Sequence, residues 1–402
     1  MKRLYFLIAL FLTACTVQRQ SQEKDTLKFD FGTSKAEKGY VAVTPEDIYS
    51  IEKGFGFDFG TKPKVIDYGG KSGLISSFVN SDDPFYFSIK LPEGNYKVTV
   101  TLGDLKRSTT STIKAESRRL MLEDIDTEPG EIRKEMFIVN IKDRNIDADT
   151  KVGLKERELT KLDWDEKLTL EFNLQTSLHA IEITKVEDQV TVFLAGNSTV
   201  VNQEEEPWAS WGQMIPRFFK PGVAIANHAE SGLSLGSFIG SRRLDKIISV
   251  IKKGDYVFVE FGHNDAKEKG PNDGAYKSYS ERLRVFSEEI KKKGGNLIII
   301  TPIARRSFGE DGKINNTHGD YPDAARKVAK EVNVPLIDLT ALSTTLFESL
   351  GPEGSKRAFV IYPELGLNDN THFNTYGAYQ LAKIIATSIK DKELDIAKYL
   401  VD

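Results

Sequence analysis

Five short apolar runs, at residues 191–195, 223–227, 256–261, 297–301 and 335–339, recur through the second half of the chain with longer amphipathic stretches between them. Each run is strand-sized, and a strand apolar at nearly every position must be covered on both faces. The alternation therefore predicts an α/β domain over residues 190–402: a parallel, flavodoxin-like sheet inside a three-layer α/β/α sandwich. Leu283 to Ile290 has the apolar spacing of one covering helix, and Lys291-Lys292-Lys293-Gly294-Gly295 gives it a basic, glycine-stopped end. In an open sheet of this kind ligands collect beyond the C-terminal strand ends. Polar residues just after each apolar run are therefore the candidates for chemistry.

Residues 26–188 carry a different rhythm. Leu27-Lys28-Phe29-Asp30-Phe31 alternates apolar and polar, as do residues 85–91 and 96–102, which are joined through Pro92-Glu93-Gly94-Asn95. Alternation marks a strand with one buried face, and two such runs around a proline–glycine turn predict a β-hairpin. Further strands are expected at 136–141, 168–174 and 180–184, with few helical stretches among them. Many short strands between turn formers predict an all-β jelly roll, and the pattern looks like a galactose-binding-like β-sandwich. Such a module either binds glycan or only packs against its neighbour, and no ligand residues are read in it. Lys185-Val186-Glu187-Asp188-Gln189 is a mostly polar hinge, too short for free tumbling.

The extreme N-terminus belongs to neither rhythm. Met1-Lys2-Arg3 precedes an apolar core from Leu4 to Leu12 that is too short to span a bilayer, so residues 1–14 read as a secretory signal. Leu12-Thr13-Ala14-Cys15 resembles a bacterial lipobox, which implies cleavage before Cys15 and a lipid anchor on it, with residues 15–25 as a polar tether. Thr16 after the cysteine implies an outer-membrane lipoprotein, on the periplasmic side or at the cell surface. Cys15 is the only cysteine, so an internal disulfide is excluded. A net charge of −4 provides no general attraction to nucleic acid, which is not expected as a partner.

The candidate chemistry gathers at the predicted strand ends. The first run breaks at Gly196, two residues before Ser198, which presents a hydroxyl beyond a strand. Glu230-Ser231-Gly232 follows the second run and offers a backbone N–H unobstructed by a side chain. Gly262-His263-Asn264-Asp265 follows the third and sets the Asn264 amide at that strand's end. Asp369-Asn370-Thr371-His372-Phe373 lies just ahead of the amphipathic run from Tyr376 to Ile389, in a loop before a helix, where the carboxylate can orient the imidazole. Of the five histidines, His179 falls in the β-rich half, His228 follows a strand, His318 sits in a polar loop, and His263 is the competitor of His372.

In this order Ser198, Gly232, Asn264 and His372 resemble the name residues of the SGNH (GDSL-like) hydrolases. The fuller motifs Gly196-Asn197-Ser198-Thr199-Val200, Phe261-Gly262-His263-Asn264-Asp265, Thr301-Pro302-Ile303-Ala304-Arg305-Arg306 and Asp369-Asn370-Thr371-His372-Phe373 resemble the rhamnogalacturonan acetylesterases among them. The resemblance implies a serine esterase with catalytic Ser198, Asp369 and His372. It also implies an oxyanion hole from the Ser198 and Gly232 N–H groups and the Asn264 amide, with no cofactor and no metal. The implied substrate is acetylated plant cell-wall polysaccharide, pectic and above all rhamnogalacturonan. Acetylxylan or another hemicellulose is the alternative polymer, and an inactive surface glycan-binding lipoprotein is the non-enzymatic one. Trp208 and Trp211 either stack on sugar rings or form the buried stripe of a helix. Arg305 and Arg306 follow the fourth run, where a guanidinium either grips a galacturonate carboxylate or forms structural ion pairs.

Overall fold

The computed structural model describes residues 26–33, 35–69, 73–173 and 175–401; the expected signal, Cys15 and its tether lie outside the described residues. The first half contains strands β1 (Thr26–Phe31), β2 (Val41–Val43), β3 (Phe55–Asp58), β4 (Lys64–Asp67), β5 (Ser77–Asn80) and β6 (Phe85–Lys90). It continues with β7 (Gly94–Gly103), β8 (Thr109–Ala115), β9 (Arg119–Thr127), β10 (Ile132–Ile141), β11 (Lys167–Phe172) and β12 (Leu178–Val186). One sheet runs β10-β7-β12-β1-β2 with β5 and β4 attached through β12, and the other runs β3-β6-β11-β8-β9. Their inner faces enclose a phenylalanine-rich core that includes Phe31, Phe57, Phe87 and the stacked pair Phe85 and Phe172.

Residues 85–91 and 96–102 do not form the expected hairpin. β6 pairs with β3 and β11, whereas β7 pairs with β10 and β12 in the opposite sheet. Alternation reports only that each strand buries one face, which is as true of strands in facing sheets as of hairpin partners. Leu91, Pro92 and Glu93 carry the chain over the gap of about 10 Å between the sheets, and the Pro92 carbonyl accepts a hydrogen bond from Tyr96 Oη at 2.8 Å.

Glu187, Asp188 and Gln189 separate β12 from β13 (Val190–Gly196). With β14 (Val223–Asn227), β15 (Tyr256–Glu260), β16 (Asn296–Ile300) and β17 (Leu336–Ile337), β13 builds an all-parallel sheet in the order β14-β13-β15-β16-β17. This is flavodoxin-like winding, and its order reverses at β13, so the crevice beyond the β13 end is where the fold opens a ligand site. Every residue of β14 and β15 is buried.

Helices α1 (Trp211–Met214), α2 (Leu235–Gly240), α3 (Arg243–Val250), α4 (Ser280–Lys292), α5 (Tyr321–Glu331), α6 (Leu339–Gly354) and α7 (Thr375–Asp391) cover the sheet. Val192, Leu194 and Phe258 pack with Phe347, Leu381 and Ile385 on one face. The alternate residues Phe193, Val257 and Val259 pack with Phe238, Phe286 and Val328 on the other, giving three layers. The run at 283–290 lies inside α4, whose last turn carries Lys291 and Lys292 at the negative end of its dipole.

Buried ion pairs join the two halves. Glu158 of the β-sandwich accepts two hydrogen bonds from Arg243 of α3, both 2.6 Å, with both side chains 0% exposed. Lys246 of the same helix donates to Glu93 at 2.9 Å and to the Asn145 carbonyl at 2.5 Å.

Candidate active site

Beyond β13 the chain must turn at once. A Cβ on Gly196 would stand 2.4 Å from Val200 Cγ2, so only glycine lets the turn fold back on itself. Asn197 Oδ1 closes it by accepting from the Thr199 backbone N–H at 3.0 Å. Thr199 Oγ1 in turn donates to Glu260 Oε2 at 2.8 Å, and the Trp211 indole donates to the same oxygen at 3.0 Å. Burial pushes the Glu260 carboxyl up to about 7, against the pull of those two hydrogen bonds. Ser198 thus rides on a turn anchored from below, with its side chain left to the crevice.

The Ser198 hydroxyl meets His372 Nε2 at 2.8 Å, and His372 Nδ1 meets Asp369 Oδ2 at 2.6 Å. Asp369 Oδ1 also accepts from the backbone N–H of Thr371 at 2.7 Å and of His372 at 3.0 Å. Burial raises the Asp369 carboxyl, but the hydrogen bonds and charge of His372 outweigh it and hold the group at about 2. An ionised carboxylate at Nδ1 keeps the proton on that nitrogen, which leaves Nε2 to accept the serine proton.

Asp369 and His372 lie on strand β19 (Leu367–Phe373), paired with β18 (Phe359–Tyr362), and not in a loop as the sequence suggested. Their polar neighbours read as a turn, and the pairing is irregular, with a register shift between Phe359 and Ile361. Side-chain bonds within 369–372 take over where the ladder breaks.

Gly232, at φ +79°, occupies a left-handed turn after β14 that favours glycine. The Asn264 amide is oriented by its partners: Oδ1 accepts from Lys267 Nζ at 2.9 Å, and Nδ2 donates to the Leu233 carbonyl at 3.0 Å. One Nδ2 hydrogen remains. Among the described residues, no acceptor is bonded to the Ser198 or Gly232 N–H. Ser198, Gly232 and Asn264 share with Asp369 and His372 one open cleft of ≈ 490 Å³. Unpaired donors on one side of a nucleophile and an oriented imidazole on the other can capture a carbonyl and stabilise its oxyanion.

The cleft sorts the other candidates. Trp208 lines it, half-buried, whereas Trp211 is 0% exposed and bonded to Glu260, so it cannot touch a substrate. α1 starts at Trp211 with Ser210 as its cap, so the two tryptophans do not share a helix face. Neither arginine lines the cleft. Arg305 donates to the Thr317 carbonyl at 3.2 Å and to its hydroxyl at 3.3 Å. Arg306 donates to Asn370 Oδ1 at 2.7 Å and to the Pro352 carbonyl, which braces the strand carrying Asp369. His179, His228, His263 and His318 are all buried, and none of them lines the cleft. Sequence reasoning missed Glu260, whose signal was a carboxylate closing an apolar run. It also missed Lys155, Arg157 and Lys267 on the cleft wall.

A doubly wound sheet carrying a Ser–His–Asp hydrogen-bond chain at its C-terminal edge has the architecture of a serine-type hydrolase. Comparison with known proteins narrows it. Residues 194–379 match the GDSL-like lipase/acylhydrolase family, and residues 27–158 match the galactose-binding domain-like family of beta-agarase/YXIM esterase-like proteins. Rhamnogalacturonan acetylesterase RhgT of Bacillus subtilis is 41% identical over 222 residues, which cover 53% of this chain and 94% of the relative. The uncharacterized esterase YxiM of the same organism is 28% identical over 92% of each chain. The crystal structure of the YxiM protein from Bacillus subtilis superposes with a TM-score of 0.50 at 26% identity, covering 92% of this chain and 99% of the other. The chain belongs to the GDSL-like lipase/acylhydrolase family, with a galactose-binding-like domain ahead of its hydrolase domain.

Proposed function

We propose that this esterase removes acetyl groups from pectic polysaccharide, rhamnogalacturonan above all, through an acetyl-enzyme on Ser198. The observation that carries the reading is the continuous chain Ser198–His372–Asp369 at 2.8 and 2.6 Å, open to a cleft. The 41% identity to an enzyme named for rhamnogalacturonan supports the polymer. His372 Nε2 takes the Ser198 proton as Oγ attacks the acetyl carbonyl, Asp369 steadies the imidazolium, and the proton passes to the departing sugar hydroxyl. Water, deprotonated by the same imidazole, then releases acetate. The Ser198 and Gly232 N–H groups and the Asn264 amide receive the oxyanion. Lipidation at Cys15 would hold the enzyme at the outer membrane, where polymer fragments arrive.

Asn264→Ala is expected to lower kcat on p-nitrophenyl acetate by about a hundredfold or more, since one oxyanion donor is worth roughly 3–4 kcal/mol of barrier. Near-normal turnover would remove Asn264 from the hole. Substrate class is tested by acetate release from acetylated rhamnogalacturonan and acetylated xylan, using the chain from Ser21 onward. Preference for the pectic polymer is the expected result. Release from xylan alone would replace the polymer and keep the mechanism, and release from neither would favour an inactive glycan-binding protein.

A further inference from the structure

The β-sandwich reaches into the hydrolase cleft. Between β10 and β11 the chain makes a 3₁₀ turn, Glu156–Thr160, whose buried Glu158 is locked to Arg243 of α3. That lock sets Lys155 and Arg157 on the cleft wall beside Gly232. Lys155 Nζ donates to the Ser231 carbonyl at 2.5 Å and would stand 3.5 Å from a Cβ built on Gly232. Arg157 donates through Nε and Nη2 to Glu230 Oε1 at 2.9 and 2.6 Å, and through Nη2 to the Ser231 carbonyl at 2.6 Å. Lys267, on the other side of Asn264, completes the group.

The charge on this wall is one-sided. Lys155, Arg157 and Lys267 face a single carboxylate among the described lining residues, Asp369, whose charge is committed to His372. Glu230 lies beneath Arg157 at 1% exposure, but Lys161 matches it from behind at 3.0 Å. The Arg157 side chain keeps 53% exposure, and its bonds through Nε and Nη2 leave Nη1 uncommitted; Lys155 and Lys267 each spend one N–H on the protein. Burial, and after it the neighbouring Arg157 charge, holds the Lys155 ammonium below the ordinary lysine range. An anion entering here would relieve that repulsion and meet donors already fixed in place.

We propose that Lys155 and Arg157 of the β-sandwich, with Lys267 of the hydrolase domain, form a carboxylate subsite that holds an acidic sugar of the polymer beside the acetyl ester being cleaved. The subsite rests on the esterase reading above and assigns its preference for an acidic over a neutral polymer to residues of the N-terminal domain. It also gives that domain a share in the active site, where the sequence left open either glycan binding of its own or packing alone. Guanidinium and ammonium groups suit this task, the first by planar, forked donation and the second as point charges.

Two measurements test it on the full soluble chain. In the wild type, a de-acetylated oligogalacturonide should inhibit p-nitrophenyl acetate hydrolysis competitively and lose potency as salt rises, while a neutral xylooligosaccharide should not inhibit. Absence of hydrolysis would defeat the esterase reading itself, whereas hydrolysis without inhibition by the acidic oligomer would defeat the subsite alone. In the double variant Lys155→Gln, Arg157→Gln, kcat/KM on the acetylated acidic polymer should fall by about tenfold to a hundredfold more than on p-nitrophenyl acetate, chiefly through KM. Equal losses on both substrates through kcat would overturn the proposal and leave these residues as braces of the 230–232 turn.

Discussion

Replacing Ser198 with alanine is expected to lower ester turnover by about 10⁵-fold or more, the scale seen when the nucleophile of a serine hydrolase is removed. Among the described residues Ser198 Oγ is bonded to His372 alone, and the turn beneath it is held by Asn197, Thr199 and Glu260. Alanine therefore deletes the attacking atom and leaves the backbone N–H of the oxyanion hole, so the melting temperature should stay close to that of the wild type. What remains should be the small acceleration over water that binding and an intact oxyanion hole provide. Acetate release and p-nitrophenyl acetate hydrolysis, followed side by side with thermal unfolding, read this directly. Turnover within tenfold of wild type in a folded variant would mean that another group attacks the ester. An unfolded variant would say nothing about the nucleophile, and His372→Ala would then repeat the test from the other end of the 2.8 Å bond.

The candidate site was legible where chemistry follows a strand. Ser198, Gly232 and Asn264 each stand beyond a mostly apolar run, and a parallel sheet brings such positions to one edge regardless of what lies between them. The partition of the β-rich half was harder, because alternation is a property of one strand and its burial and does not name the partner. β6 and β7 alternate, yet they face each other across the core. β8 escaped for a different reason. Its inward positions include Thr109 and Ser111, and Thr109 pairs its hydroxyl with Thr127 at 2.7 Å inside the domain, so a buried face carries little hydropathy signal. Lys155 and Arg157 had no local signature at all. They meet Ser231 and Glu230 from more than 70 residues away, and tertiary contacts such as the buried Glu158–Arg243 and Lys161–Glu230 pairs hold them there. Arg305 and Arg306 had the better sequence argument, since they follow a strand, but the structure leaves both outside the cleft that Ser198 lines, Arg305 against Thr317 and Arg306 against Asn370.

Asp369→Asn should cost about 10⁴-fold in kcat while sparing the fold, because it changes which nitrogen of His372 carries the proton. The asparagine carbonyl can take the place of Oδ1 and keep the Thr371 and His372 backbone N–H bonds, so the strand that carries the histidine stays in place. The amide nitrogen then replaces Oδ2 and presents a donor where Nδ1 needs an acceptor. His372 answers by accepting at Nδ1 and carrying its hydrogen on Nε2, where it can no longer take the Ser198 proton. A stability measurement accompanies the kinetic one. The Asp369 carboxyl is held at about 2 against an ordinary 3.8, so its ionised form stabilises the folded protein fully above 3.8 and loses that contribution as the pH falls through about 2. Between those values the wild type should therefore lose stability more steeply than the asparagine variant, which has no such proton to take up. If kcat survives within tenfold while the acid-stability difference appears as expected, Asp369 is an anchor for strand β19 and no part of the proton path. If kcat collapses and the two acid profiles coincide, the tautomer argument holds and the carboxylate adds little to the fold.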